Sequence, residues 1–274
     1  MSTIPTISQI VKVYDKGVTM PLLCALEPNR TLAVIKYPFN PLGNHVLINE
    51  WIAHSIAKAI LAPIPPFGCC LLTNSSTYGE EFQASIELEN IDFDFQNHGC
   101  CFFSSWISKA IPMKPTYLSV MKNENDFDLM LLLDYIVGNV DRHSGNILFS
   151  MDDKMFYAID YSNIFNSQRG WNVTSLKEEI AKKDYQSAHL LDRKGNWEVY
   201  GAFWNNLQLD KLYRDAQIIK AKLTYEFLKS IMDNIPSAWN EYISPEGKLL
   251  LCEYLYNRVQ NIEVFCTTVE QGGR

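Results

Sequence analysis

One stretch near the middle of the chain, residues 131–162, constrains the fold more than any other part of the sequence. It opens with the apolar run LLLDYIVG, which is typical of a buried helix that ends at a glycine. The polar segment NVDRHSGN follows, and two short apolar runs joined by Met151-Asp152-Asp153 then predict a pair of strands. A helix, a loop and a hairpin in this order bring polar side chains to neighbouring ends of adjacent elements.

Three of these polar residues, Asp141, Asn146 and Asp160, can converge on one point. Phosphoryl transfer requires such a group, because one carboxylate orients the attacking hydroxyl and further oxygen atoms bind magnesium. Each residue alone is more typical of a loop cap. The coincidence of all three at kinase-like spacing favours a phosphotransferase.

Lys36 and Glu50 form the second predicted group. Lys36 closes an apolar strand, and Glu50 lies on the predicted helix 45–61, for which Asn44 is a suitable N-cap. A strand lysine and a helix glutamate can pair beside nucleotide phosphates. The alternative is an exposed lysine and a solvated glutamate, and other glutamates of this region could replace Glu50 (Glu80, Glu81 and Glu87).

The overall order predicts an α+β fold of two lobes, residues 1–90 and 91–274. Strands are expected at 7–14, 22–26, 31–37, 67–72 and 81–88, with a hinge at residues 85–90 that places Glu87 against the nucleotide. A linker is expected at 92–99. The second lobe is expected to be mostly helical, with helices at 102–110, 126–138, 175–183, 198–207, 210–234, 236–242 and 246–267.

The net charge and the composition exclude some classes of binding partner. The net charge of −7, without a dense basic stretch, argues against direct binding of nucleic acid. The longest apolar runs are too short to span a bilayer, so no membrane association is expected. The seven cysteines lack the usual zinc spacing and are odd in number, which favours reduced thiols in a cytoplasmic protein.

The segment from Asn139 to Asn146 resembles the catalytic loop of the HipA-like kinases, whose pattern is Asn-x-Asp-Arg-His-x-x-Asn. The wider superfamily includes the phosphatidylinositol kinases. Residues 17–22 are similar to the short nucleotide loop of the family. Asn49-Glu50-Trp51, with the proline-containing residues 62–65, is similar to the family's helix and the segment after it. The resemblance covers residues 16–165.

The resemblance implies a two-lobed protein-kinase-like fold that uses ATP and Mg²⁺. It makes Asp141 the catalytic base and Asn146 and Asp160 the magnesium ligands, with Lys36, paired to Glu50, on the ATP phosphates. The remaining nucleotide contacts are expected from Gly17, Val18 and Thr19 and from His143, which we also expect to pack or hydrogen-bond within its own loop.

The family further implies a protein serine or threonine as the acceptor and, as a possible partner, a separate antitoxin-type chain. Tyr161-Ser162 follows Asp160 where protein kinases have Phe-Gly, which leaves the acceptor open. Two alternatives therefore stand beside a protein kinase. One is a small-molecule kinase acting on an antibiotic or a lipid, and the other is a catalytically silent binding module with a kinase fold.

Overall fold

The computed structural model describes residues 4–14, 18–89, 99–167, 170–186, 201, 203–204 and 207–271, with the backbone alone for 85–89. The first part of the chain holds β1 (Ile7–Val13), β2 (Leu22–Leu26), β3 (Thr31–Lys36), α1 (His45–Ile60), β4 (Phe67–Leu71), β5 (Thr77–Tyr78), α2 (Glu80–Glu89) and β6 (Cys100–Ser105). The second part holds β7 (Ala110–Pro112), α3 (Phe127–Val137), β8 (Ile147–Ser150), β9 (Phe156–Ala158), α4 (Val173–Lys182), α5 (Leu209–Lys222), α6 (Tyr225–Asp233), α7 (Pro245–Gln260) and α8 (Ile262–Glu270).

Two sheets organise the described residues. The first has six strands in the order β4-β6-β3-β2-β1-β5, and all neighbours are antiparallel except β1 and β5. The second is the small antiparallel sheet β7-β8-β9, which contains the hairpin predicted after the polar loop. Helices dominate the chain beyond β9, so the β-rich first part and helical second part agree with the predicted fold class.

The hydrophobic core lies on both faces of the first sheet. Along β6, successive side chains point to opposite faces, so Cys101 joins a small cluster while Phe102 joins a larger one. Phe82 of α2 covers the small cluster. The large cluster continues through α1 and α3 into the C-terminal helices and ties the sheet to the helical part.

Several local predictions were wrong. Residues 81–88 form helix α2 instead of a strand, and residues 102–110 contain β6 and the start of β7 instead of a helix. The predicted hinge at 85–90 is therefore helical through Glu89, and Asn90 lies outside the described residues. Most of the linker 92–99 and most of the helix expected at 198–207 also lie outside them. The lobe boundary at residue 90 stays a prediction, although β6 pairs within the first sheet.

Other differences concern helix ends. Asn44 does not cap α1, because its Oδ1 accepts a hydrogen bond of 2.6 Å from the Phe39 N–H. The helix predicted at 210–234 is divided into α5 and α6, since the Thr224 side chain accepts from the Phe227 N–H and begins a new helix. The helix predicted at 246–267 is likewise divided at Asn261, and residues 237–242 form a 3₁₀ helix.

No helix in the described ranges is long and apolar enough to cross a bilayer.

Candidate active site

A cavity of about 280 Å³ lies between the first sheet and the β8–β9 hairpin. Its apolar walls come from both sides, and they include Pro21, Val34, Trp106, Ile107, Leu148 and Ile159. Three charged residues, Lys36, Glu50 and Asp160, also line it. The cavity therefore combines an apolar slot with a charged region, as a nucleotide site requires.

Lys36 is the centre of the charged region. It ends β3 and is buried, and its Nζ donates to Glu50 Oε1, to Asp160 Oδ1 at 2.7 Å and to Ser162 Oγ at 2.7 Å. Burial by itself lowers the pKa of Lys36, but the two carboxylates outweigh burial and raise that pKa above its ordinary value. Lys36 is therefore a charged ammonium that joins the sheet, α1 and the segment after β9.

Glu50 is buried on α1 and has several contacts beyond Lys36. Its Oε1 accepts from the Tyr161 N–H at 2.9 Å, and its backbone oxygen lies 2.9 Å from His54 Nδ1. Burial lowers the pKa of His54, so the imidazole is neutral near pH 7. The positive charge that balances Glu50 is therefore that of Lys36.

Asp160 directly follows the second strand of the hairpin, in a left-handed backbone conformation with φ of 58°. Burial by itself raises its pKa, yet the Lys36 ammonium and the bonds from Ser162 outweigh this and hold the pKa of Asp160 well below its usual range. The bonds from Lys36 and from the Ser162 N–H go to Oδ1. Oδ2, which neither of them engages, is an anionic oxygen suited to a cation.

Asp141 is held by amides on both sides. Its N–H donates to Asn139 Oδ1 at 3.0 Å, and Asn163 Nδ2 donates to its Oδ2 at 2.9 Å. Asn146 Nδ2 donates to the Asp141 carbonyl oxygen at 2.9 Å, which leaves the Asn146 amide oxygen for another partner. The loop thus fixes the direction of one carboxylate and one amide oxygen.

Arg142, which the sequence interpretation passed over, supports this loop from beneath. It is fully buried and makes a bidentate ion pair with Asp134 of α3, at 2.9 and 2.8 Å. Its Nη1 donates to the carbonyl oxygens of Asn146 at 2.7 Å and Ile159 at 2.8 Å. One side chain therefore links the helix, the loop and the strand end before Asp160. An aspartate inside the apolar run of α3 was the available signal.

The predicted nucleotide loop and its neighbours are only partly described. Val18 is exposed and Thr19 is buried, whereas Gly17 and the Glu87 side chain lie outside the described residues. His143 is exposed, and its Nδ1 accepts from the Gly145 N–H at 3.0 Å, which confirms the expected hydrogen bond within the loop.

The cavity is also bordered by the segment that connects the two sheets. Ser104 and Ser105 at the end of β6, with Trp106 and Ile107 after it, line the cavity. This segment leads from the first sheet toward β7 of the second. The contact of Glu87 with the nucleotide stays a prediction.

The oxygen atoms of Asn146 and Asp160 fit a hard cation. No group of three or more His, Cys, Asp or Glu side chains among the described residues could hold a metal by itself. Magnesium is usually bound by one or two carboxylates, with phosphate and water completing its shell. The two predicted ligands suit such a shared site better than a cage made of protein alone.

Comparisons with known proteins agree with the fold described above. The family model described as HipA-like kinase matches residues 7–262. The crystal structure of the Helicobacter pylori proinflammatory kinase CtkA superposes with a TM-score of 0.59 at 15% identity, covering 97% of this chain and 99% of that one. No curated protein matches the sequence. The likeness to CtkA supports a two-lobed kinase fold.

Proposed function

Because this chain belongs to the HipA-like kinase family, we propose that it transfers the γ-phosphoryl group of ATP, with Mg²⁺, to a serine or threonine of a protein. The single observation that supports the proposal best is the pairing of the buried Lys36 with Glu50 and Asp160 at the cavity between the two parts of the fold. A charged lysine held in this way is positioned to contact nucleotide phosphates.

The nucleotide would occupy the cavity in a defined direction. Its base would lie between the apolar walls near Val34, Leu148 and Ile159, bordered by the segment after β6. Its phosphates would extend toward Lys36 and the loop that holds Val18 and Thr19. A Mg²⁺ ion held by Asn146 and Asp160 would neutralise charge on the phosphates.

Asp141 would receive the hydrogen bond of the acceptor hydroxyl. The Asn163 amide bonds one carboxylate oxygen and so fixes the orientation of the group. Catalysis would then arise chiefly from positioning and from charge stabilisation, because phosphoryl transfer requires little covalent chemistry from the protein.

The acceptor class and the antitoxin-type partner rest on the family, and the cytoplasmic setting rests on the cysteine pattern. An active enzyme is favoured over a silent binding module, because the chain retains all five side chains that are proposed to support catalysis: Lys36, Glu50, Asp141, Asn146 and Asp160. We propose a cytoplasmic protein kinase whose possible antitoxin-type partner is a separate chain, with no direct role for nucleic acid or membrane.

The central test replaces Asp141, the proposed catalytic base. Asp141→Asn should lower phosphoryl transfer by about 10²–10⁴-fold while ATP still binds, because the amide cannot accept the hydroxyl proton. Transfer is measured with radiolabelled ATP, magnesium and cell lysate, and ATP binding by calorimetry. Asp233→Asn, on an exposed helix end, is the matched control.

The label also identifies the acceptor. A labelled protein band from wild type supports the proposal, and a labelled small molecule favours an antibiotic or lipid kinase. Unchanged transfer by Asp141→Asn would remove Asp141 from the mechanism. No transfer by wild type in any fraction would favour the silent module.

A further inference from the structure

The Asn49 side chain bridges α1 and the segment after Asp160. Asn49 is buried immediately before Glu50 on α1, with 1% of its surface exposed. Its Nδ2 donates to the Ser162 carbonyl oxygen at 2.7 Å, and its Oδ1 accepts from the Trp171 indole Nε1–H at 2.8 Å. Both ends of the amide are therefore used, as a buried polar group requires.

The indole that completes this bridge is itself held in place. Trp171 is 5% exposed, and its ring packs edge-on against His45 at 4.6 Å and against Phe165 at 6.1 Å between ring centroids. His45 is the first residue of α1, so Trp171 contacts that helix at two points. Packing against His45 and Phe165 therefore orients the Trp171 ring so that its Nε1–H points at Asn49.

Ser162 connects the Asn49 side chain to the charged residues of the site. While its carbonyl oxygen is held by Asn49, its Oγ accepts from Lys36 and its N–H donates to Asp160 Oδ1 at 3.2 Å. The neighbouring Tyr161 N–H donates to Glu50. Residues Tyr161 and Ser162 therefore contact all three charged residues, through two backbone N–H groups and the Ser162 hydroxyl, and are fixed to α1 by Asn49.

We propose that Asn49 and Trp171 are positioning residues, which hold α1 against residues Tyr161 and Ser162 so that the Lys36–Glu50–Asp160 group is assembled. The inference rests on the proposed function, and it adds two residues that do not line the cavity.

The first experiment removes one hydrogen bond and keeps the ring. Trp171→Phe should lower kcat about fivefold and Asn49→Ala, which loses both bonds, about 30-fold. Both variants should also raise the KM for ATP, because neither residue lines the cavity and each acts through Lys36 and Asp160, which are proposed to hold the phosphates and Mg²⁺. Trp51→Phe is the matched control, since Trp51 lies on the same helix and its buried Nε1–H has no partner among the described residues.

A double-mutant cycle separates positioning from general stability. If Asn49 and Trp171 act through Glu50, Trp171→Phe should have no further effect on kcat in a Glu50→Gln background. An equal loss of kcat in both backgrounds would show a merely structural role and would overturn the inference.

Indole hydrogen exchange provides a measurement that does not depend on catalysis. The Trp171 Nε1–H signal, assigned from its absence in Trp171→Phe, should be protected in wild type and exposed in Asn49→Ala. Rapid exchange in wild type would overturn the inference. Absence of phosphoryl transfer by wild type would instead show that the proposed function fails, whereas normal kcat of Trp171→Phe would overturn the inference alone.

Discussion

At the residue scale, the site is made of ion pairs between elements that are distant in sequence. Lys36 pairs with Glu50 and Asp160, which leaves one net negative charge, and Arg142 pairs with Asp134. A buried pair of this kind adds little stability relative to apolar residues, but it leaves a costly unpaired charge if one partner is removed. The arrangement is therefore expected to be sensitive to single substitutions.

Arg142→Ala should lower the free energy of unfolding by about 3–5 kcal/mol, because Asp134 would be left as a buried charge without its cation. Denaturant unfolding measures this loss. The control is Lys109→Ala, whose ion pair with Asp152 lies at the surface and should not contribute measurably. Equal losses in the two variants would contradict the supporting role of Arg142.

Asp160→Ala should weaken binding of Mg²⁺–ATP by at least about tenfold, because the cation loses its carboxylate ligand. Calorimetry with magnesium and with EDTA checks this, and the effect should be small in EDTA. An unchanged affinity for Mg²⁺–ATP would exclude Asp160 as a ligand.

At the element scale, the end of α3 decides where the loop that holds Asp141 and Asn146 begins. Gly138 has a φ of 60° and ends the helix, and an added Cβ would lie 2.2 Å from Tyr254 Oη and 3.1 Å from the Asn166 nitrogen. A glycine is required here both for the left-handed conformation and for the close approach.

Gly138→Ala should therefore cost about 2–4 kcal/mol of unfolding free energy, the sum of backbone strain and a steric clash. Gly43→Ala, at a φ of 84° with no atom within 4 Å of the added Cβ, should cost only the strain, about 1–2 kcal/mol. Adding Tyr254→Phe, which removes a buried hydroxyl that has no hydrogen-bond partner in the described part of the chain, should partly restore the stability of Gly138→Ala. Equal costs at the two glycines would show that the close approach is unimportant.

The elements also show why some local predictions were wrong. Residues 81–88 alternate polar and apolar side chains, yet they form α2, whose Phe82 packs in the cluster on the sheet. The apolar start of 102–110 suits a helix as well as a strand, and pairing of β6 with both β3 and β4 decides the outcome. Short segments do not distinguish the two structures, because the deciding contacts are distant in sequence.

At the scale of the whole molecule, the proposed nucleotide cavity is formed by residues from both parts of the fold. A ligand that binds only the folded chain stabilises it by mass action, so Mg²⁺–ATP at 100 times its Kd should add about 2.7 kcal/mol. For a chain of this length, the thermal midpoint should rise by about 5 °C.

Scanning calorimetry or fluorescence thermal shift measures this rise. Magnesium alone should produce no comparable shift, because no described group of protein side chains forms a complete metal site. The Asp160→Ala variant should show a much smaller shift with Mg²⁺–ATP. An identical shift for that variant would contradict a shared site for cation and phosphate.

The sequence by itself determined the helix, loop and hairpin around Asp141 and Asp160, because apolar periodicity and turn residues act over short distances. It also indicated Lys36 and Glu50 as a pair, from residue type and family pattern. Only the tertiary structure revealed Arg142, Asn49 and Trp171 as supports and placed β6 at the cavity. Their partners lie on other elements, and a buried polar group is defined by partners that the local sequence does not contain.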